Sequence, residues 1–368
     1  MKPLFGKNME QATLPTHPGR LGEAAALLKR VLRGRAPSEP EGSVPVDGRG
    51  RAAAGAPRGF RDRGHDAWPL PGASGCARFL DASYAGAAGA RPYKLYVPSG
   101  YRGQPAPLVV MLHGCAQSPD DFAAGTGMNA AAEDHTCLVA YPGQTAAANS
   151  SRCWNWFNAG EQHRDRGEPS LIAGITRQVM ATHEIDPRRV FVAGLSAGGA
   201  AAAIMGARYP DLYAAIGVHS GLPCGAAHDL SSAFTAMRQG AAPGTQRASA
   251  VMPTIVFHGE EDNTVHPDNA ASVIAQAAGG ARLERRLLAG RVPGGHAYRR
   301  TLYVDASGAT VIEQWSIVGG GHAWSGGSPA GSFTDPHGPN ATRQMLRFFL
   351  EHPRPGVASG DRAGRGDR

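Results

Sequence analysis

No stretch of the chain is long and apolar enough to cross a bilayer, which takes about 20 consecutive residues. Met1 to Glu23 holds scattered lysines but no apolar h-region and no small-residue cleavage site, so no secretory signal is read and a cytoplasmic protein is expected. Cysteine is scarce: the five, Cys76, Cys115, Cys137, Cys153 and Cys224, are odd in number and match no zinc spacing. A cytoplasmic chain keeps such residues as reduced, mostly buried thiols. A Cys115–Cys153 bridge is left open, because both residues fall in segments placed near the site derived below. Acidic residues are few relative to basic ones, and the net charge is +7. That excess sits at the ends. Residues 1–68 carry 12 Lys+Arg against 7 Asp+Glu, residues 354–368 carry 4 Arg against 2 Asp, and the remainder is neutral. With no nucleic-acid motif beside it, the basicity of the tails does not imply a nucleic-acid partner. No internal repeat is present.

What is present falls into three parts. Residues 1–70 read as an extension. Within it, residues 21–34 form one amphipathic helix, with Leu21, Ala24, Leu28 and Val31 on a face, and the Gly-, Pro-, Ala- and Arg-rich stretch after it is a disordered linker. Residues 75–352 read as the folded domain and 353–368 as a disordered basic tail. In the middle part, short apolar runs alternate with helical patterns. Strands are expected over 91–98, 107–113, 137–141, 190–193, 214–219, 254–258, 281–287 and 311–318. Helices are expected over 128–135, 170–184, 199–208 and 340–351. This alternation argues an α/β fold: a mostly parallel sheet with helices on both faces, whose ligand site lies past the C-terminal strand ends.

The stretches that carry chemistry all fall there. Gly194-Leu195-Ser196-Ala197-Gly198 matches Gly-x-Ser-x-Gly, with an apolar strand before it and an alanine-rich helix after it. In such an elbow the serine hydroxyl is lifted clear of the sheet by a strained turn, and the flanking glycines let strand and helix pass closely. A serine needs a base to become a nucleophile, and the base needs an orienting acid. Asp262 follows the strand ending Phe257-His258-Gly259, with Glu261 and Asp268 as rivals. The shorter Asp262 suits a rigid bond to imidazole. His258, which precedes the acid loop, is read as structural. His322, in Gly319-Gly320-Gly321-His322, is the base. The oxyanion needs two preorganised donors: the N–H groups of Ala197 and of Cys115, in the loop after the 107–113 strand. Gln117 is expected to add a side-chain contact, and at least one of Trp154, Trp156 and Trp324 to line an acyl or polymer-chain groove.

Together the motifs LHGCAQSPDDF (112–122), CWNWF (153–157), AGLSAGGA (193–200), HGEEDNTVHP (258–267) and GHAWSGG (321–327) resemble the esterase family of poly(3-hydroxybutyrate) depolymerases, which includes feruloyl- and acetylxylan-type esterases. The resemblance spans roughly residues 75–352. It implies an α/β-hydrolase fold and a Ser196–Asp262–His322 mechanism with no metal or organic cofactor. The implied substrate is a short-chain poly(3-hydroxyalkanoate) or its oligomers. The leader, with GRLGEAAALLKRVL, looks like that of members without a signal peptide, thought to act on intracellular polymer. Residues 21–34 would then meet a polymer-granule surface or a protein partner. Rival readings are a general aryl, feruloyl or acetyl esterase, a serine peptidase, and a non-catalytic granule-associated protein of the same fold.

Overall fold

The computed structural model describes residues 75–241 and 250–355. The helix expected at 21–34, the linker after it and the tail beyond residue 355 lie outside the described residues. The described chain runs β1 (Arg78–Gly86), β2 (Gly89–Val97), β3 (Ala106–Leu112), α1 (Pro119–Thr126), α2 (Met128–Asp134), β4 (Leu138–Pro142), a 3-10 turn (Ala159–Gln162) and α3 (Gly167–Thr182). It continues through β5 (Ile185–Leu195), α4 (Ala197–Arg208), β6 (Ala215–His219), α5 (Leu230–Gln239), β7 (Thr254–Gly259) and α6 (Asp268–Ala277). Last come β8 (Glu284–Arg291), β9 (Ala297–Val304), β10 (Thr310–Ile317), β11 (Trp324–Ser325), β12 (Thr334–Asp335) and α7 (Ala341–Glu351).

Ten strands form one sheet in the order β1-β2-β4-β3-β5-β6-β7-β10-β9-β8. The centre, from β4 to β10, is parallel, and each wing is antiparallel. Burial explains why the centre was legible. Every residue of β3, β4, β6 and β7 is buried, so these strands read as continuous apolar runs, as a sheet covered on both faces requires. The core between sheet and helices is aromatic: Phe191 stacks on Phe349 at 5.0 Å and Phe257 on Trp315 at 5.3 Å. Such pairs add about 0.5–1.5 kcal/mol each beyond the area they bury.

The wings differ from expectation. β1 and β9 were not anticipated, and the strand expected over 281–287 runs from Glu284 to Arg291. β8 is almost wholly exposed, with Leu287 66% and Leu288 48% accessible, so no buried face imprinted a period on it. In β9, the Arg299-Arg300 pair hides a strand. Arg300 lies over the Trp315 ring at 5.1 Å and pairs with the buried Glu313 at 2.8 Å, so a charged residue fills a packing position. Helices α1, α5 and α6 were also missed. Their starts follow known rules: Ser118 caps α1 by accepting from the Asp121 N–H, and Asp229 with Ser232 forms a capping box on α5. Among the described residues no helix is long and apolar enough to cross a membrane.

Candidate active site

Ser196 sits between β5 and α4 with φ 56° and ψ −118°, a conformation that non-glycine residues adopt at a cost of about 1–3 kcal/mol. The flanking glycines make the turn possible. A Cβ on Gly194 would collide with the Gly198 backbone, and one on Gly198 with the carbonyl oxygens of Leu112 and His113. The helix therefore passes directly over the end of β3, and the loop after β3 lies beside Ser196: a Cβ on Gly114 would stand 3.7 Å from Ser196 Cβ.

Asp262 and His322 meet directly. His322 Nδ1–H donates to Asp262 Oδ2 at 2.8 Å, and Asp262 Oδ1 accepts the N–H groups of Thr264 and Val265, each at 2.9 Å. The contact arises because β7 and β10 are adjacent and parallel, so their following loops touch: the Glu261 N–H donates to the Gly320 carbonyl at 2.9 Å. Burial alone would raise the Asp262 carboxyl. The charges and hydrogen bonds of His322 and His258 outweigh it and hold the group well below the usual carboxylate range. The rivals Glu261 and Asp268 make no contact with His322 among the described residues. His258, buried, donates from Nε2 to the Val265 carbonyl at 2.8 Å and lies 3.5 Å from Asp262 Oδ2. It thus touches the acid as well as bracing its loop.

The loop after β3, which holds Cys115, is tied to neighbouring segments by a disulfide and several hydrogen bonds. Cys115 is bridged to Cys153, so the two segments share a covalent link; Cys137 and Cys224 are buried free thiols and Cys76 is an exposed one. Ala116 N–H donates to the Ser151 carbonyl at 2.7 Å. His113, fully buried, donates from Nδ1 to its neighbour Gly114's carbonyl and accepts the Gln144 N–H at Nε2 (3.0 Å). Burial lowers its imidazole to about 4, so it stays neutral and can accept. The N–H groups of Cys115 and Ala197 meet no acceptor among the described residues, and Ala197 opens α4, where the helix dipole favours negative charge.

The four residues expected to contact substrate are all buried. Gln117, 1% exposed, spends its side chain internally: Oε1 accepts the Gly114 N–H at 2.9 Å, while Nε2 donates to Asp121 Oδ2 at 2.9 Å and to the Ser332 carbonyl at 3.0 Å. Trp154 is fully buried and donates to the His113 carbonyl at 3.1 Å. Trp324 is buried against Phe122 and donates to Thr342 Oγ1 at 3.0 Å. Trp156 is buried too. With Trp154 it lines a small cavity walled by Ile172, Ala201 and Met205. Near Trp154 the buried Glu168 accepts from Asn155 N–H (2.7 Å), Asn155 Nδ2 and Gln144.

Sequence reasoning missed His219. It ends β6, is fully buried, and touches both the elbow and the His322 loop. No hydrogen bond joins Ser196 Oγ to His322 among the described residues.

The family model for esterase PHB depolymerases matches residues 91–283, more than half of the chain. The protein belongs to that family. Among similar depolymerases, poly(3-hydroxyalkanoate) depolymerase C of Paucimonas lemoignei is 35% identical over 239 residues, 62% of this chain and 57% of that protein. Poly(3-hydroxybutyrate) depolymerase of Ralstonia pickettii is 30% identical over 258 residues, 63% and 50% of the two chains. Feruloyl esterase B of Neurospora crassa is 28% identical over 231 residues, 58% of this chain and 77% of that one. The chain spans about half the length of the depolymerases it matches. An acetyl xylan esterase from Aspergillus awamori superposes with a TM-score of 0.55 at 20% identity, covering 67% of this chain and 94% of that one. That likeness shows the α/β-hydrolase fold.

Proposed function

We propose that this depolymerase-family chain is a serine carboxylic ester hydrolase acting on short-chain poly(3-hydroxyalkanoate) or its oligomers, with residues 75–352 as the catalytic domain. The observation that carries the reading is the 2.8 Å Asp262–His322 hydrogen bond, formed between the loops that follow β7 and β10 in a chain that also holds a strained serine elbow. With Nδ1 donating to a carboxylate, His322 keeps Nε2 unprotonated and available as a base. Ser196 Oγ attacks the ester carbonyl as His322 Nε2 takes its proton, and Asp262 stabilises the imidazolium. The Cys115 and Ala197 N–H groups hold the oxyanion. His322 then protonates the departing alkoxide, and the acyl-enzyme is released when His322 activates a water in the same way. The Ser196–His322 hydrogen bond this requires is of the kind that tightens on substrate binding.

A second reading, a general aryl, feruloyl or acetyl esterase, draws on the acetylxylan and feruloyl esterases among the similar proteins. A panel of p-nitrophenyl esters, hydroxybutyrate oligomers, amorphous polymer and feruloyl esters separates the two. Oligomer or polymer turnover favours the first, and turnover confined to aryl or acetyl esters overturns it. Labelling by a fluorophosphonate, absent in Ser196→Ala, tests the nucleophile and excludes the non-catalytic granule protein. The cytoplasmic placement expected from the leader meets an opposing observation in the Cys115–Cys153 bridge, because cytosolic thiols are kept reduced. Alkylation and mass measurement of protein taken from its native host decides between them.

A further inference from the structure

The nucleophile and the base are carried by different strand ends, and one residue, through its backbone and its ring, spans the interval. The His219 carbonyl accepts the Ser196 N–H at 2.9 Å. Its ring Nε2 accepts the Ser325 N–H at 3.0 Å, on the short strand that begins two residues past His322. Because Nε2 accepts, the ring proton is on Nδ1, where it faces Ser220 Oγ at 3.2 Å. The ring is held between Phe257, at 5.7 Å and 14° from parallel, and Trp324, at 5.1 Å and 26°. Phe257 leads into the Asp262 loop and Trp324 leaves the His322 loop, so two site segments meet on this imidazole and the third, the elbow, on the carbonyl of the same residue.

We propose that His219 is a positioning residue that fixes the separation of Ser196 and His322, its backbone holding the elbow and its ring holding the chain that leaves the base. This rests on the triad reading above. The reasoning is one of alternatives. An apolar aromatic would fill the slot between Phe257 and Trp324 equally well, and burying a polar ring is unfavourable unless its nitrogens are satisfied. What the imidazole adds is an acceptor for the Ser325 N–H, which is otherwise an orphan donor in the interior. Burial, with the nearby His258 and His322 acting in the same direction, lowers the ring to about 3, so it remains a neutral acceptor at working pH. The other end of the same segment is held by Gln117 and Asp121 through Ser332, and His219 holds the end that follows the base.

Two variants separate packing from hydrogen bonding. His219→Phe keeps a ring in the stack and removes the acceptor. His219→Gln gives up the stack and keeps an acceptor at the same reach. Each is measured for thermal stability, kcat and KM on p-nitrophenyl butyrate, fluorophosphonate labelling rate at Ser196, and hydrogen exchange of the Ser325 amide. A displacement on the order of 1 Å costs about 100-fold in rate. Folded His219→Phe should lose kcat on that scale with KM within a few-fold, label more slowly, and exchange the Ser325 amide faster; His219→Gln should recover at least about ten-fold of the loss. A folded His219→Phe with wild-type kcat and labelling overturns the proposal, as does a His219→Gln no better than the Phe variant. If the Phe variant does not fold, the Gln variant decides: kcat near wild type supports the proposal, and a loss as large as that of Ser196→Ala overturns it. Failure of the wild type to label at Ser196 overturns the triad reading itself, which the other outcomes leave standing.

Discussion

Asp262 is the residue on which the site's electrostatics turn. It is buried, yet its two oxygens collect two backbone N–H groups and the His322 ring, and His258 lies close by. In Asp262→Asn the amide no longer anchors the Nδ1–H tautomer, so the correctly oriented base exists only part of the time. Ser196→Ala should leave a folded protein with ester hydrolysis reduced by about three or more orders of magnitude, and Asp262→Asn should cost less than that. Steady-state kinetics on p-nitrophenyl butyrate check both, and near-full activity in Ser196→Ala would remove the elbow from the mechanism. Acid sensitivity is also set at this scale. Asp262 is depressed on folding, while His113 and His219 are lowered to about 4 and about 3 by burial. For the two imidazoles the unfolded chain binds the proton more readily, so their stabilisation is complete above about pH 6.5 and is lost as pH falls toward the folded values. The Asp262 contribution is complete above about pH 4 and lost below it. The urea midpoint should therefore fall steadily from pH 6.5 to pH 4 and faster below; a flat midpoint between 6.5 and 4 would mean that His113 and His219 are not buried as neutral rings.

At the scale of elements, the site is a meeting of loops, and each loop is fastened by something other than its strand. The oxyanion loop is fastened by the Cys115–Cys153 bridge, by Gln117 and by Ala116. The bridge closes an interval of 38 residues, for which the chain-entropy model gives a stabilisation of about 4 kcal/mol. Removing both sulfurs in Cys115→Ala/Cys153→Ala should lower unfolding free energy by about 2–4 kcal/mol, while the backbone donor at residue 115 survives and much of kcat is retained. A folded, inactive double variant would show that the thiols or the bridge act in more than stability. The base loop is fastened from the sheet wing. His296, on the turn between β8 and β9, reaches Asp335 Oδ2 at 3.0 Å and the Val318 carbonyl at 3.0 Å, on either side of His322 along the chain. The hairpin absent from the sequence reading is thus part of what supports the base.

Across the whole molecule, the residues of the site lie between Cys115 and His322, far along the chain from the extension. Deleting residues 1–68 should therefore leave hydrolysis of small soluble esters within a few-fold. If residues 21–34 meet a polymer surface, as their amphipathic pattern suggests, the same deletion should weaken sedimentation with native amorphous granules. Equal granule binding by both forms would end that idea. The sequence by itself determined the parallel centre of the sheet, because strands buried on both faces must be continuously apolar, and it determined the residues at the strand ends, because an elbow and a glycine-rich loop need particular backbone freedom. The places of Ser196, Asp262 and His322 just past strand ends were legible for that reason. Only the tertiary structure decided the rest. Side chains such as Gln117, Trp154 and Trp324 look alike in sequence whether they face solvent or the interior, and their hydrogen bonds to partners distant along the chain turn them inward. Edge strands with one exposed face carry too little periodicity to be read. A clamp such as His219, whose backbone and ring serve two different loops, exists only once β6, β7 and β10 are side by side.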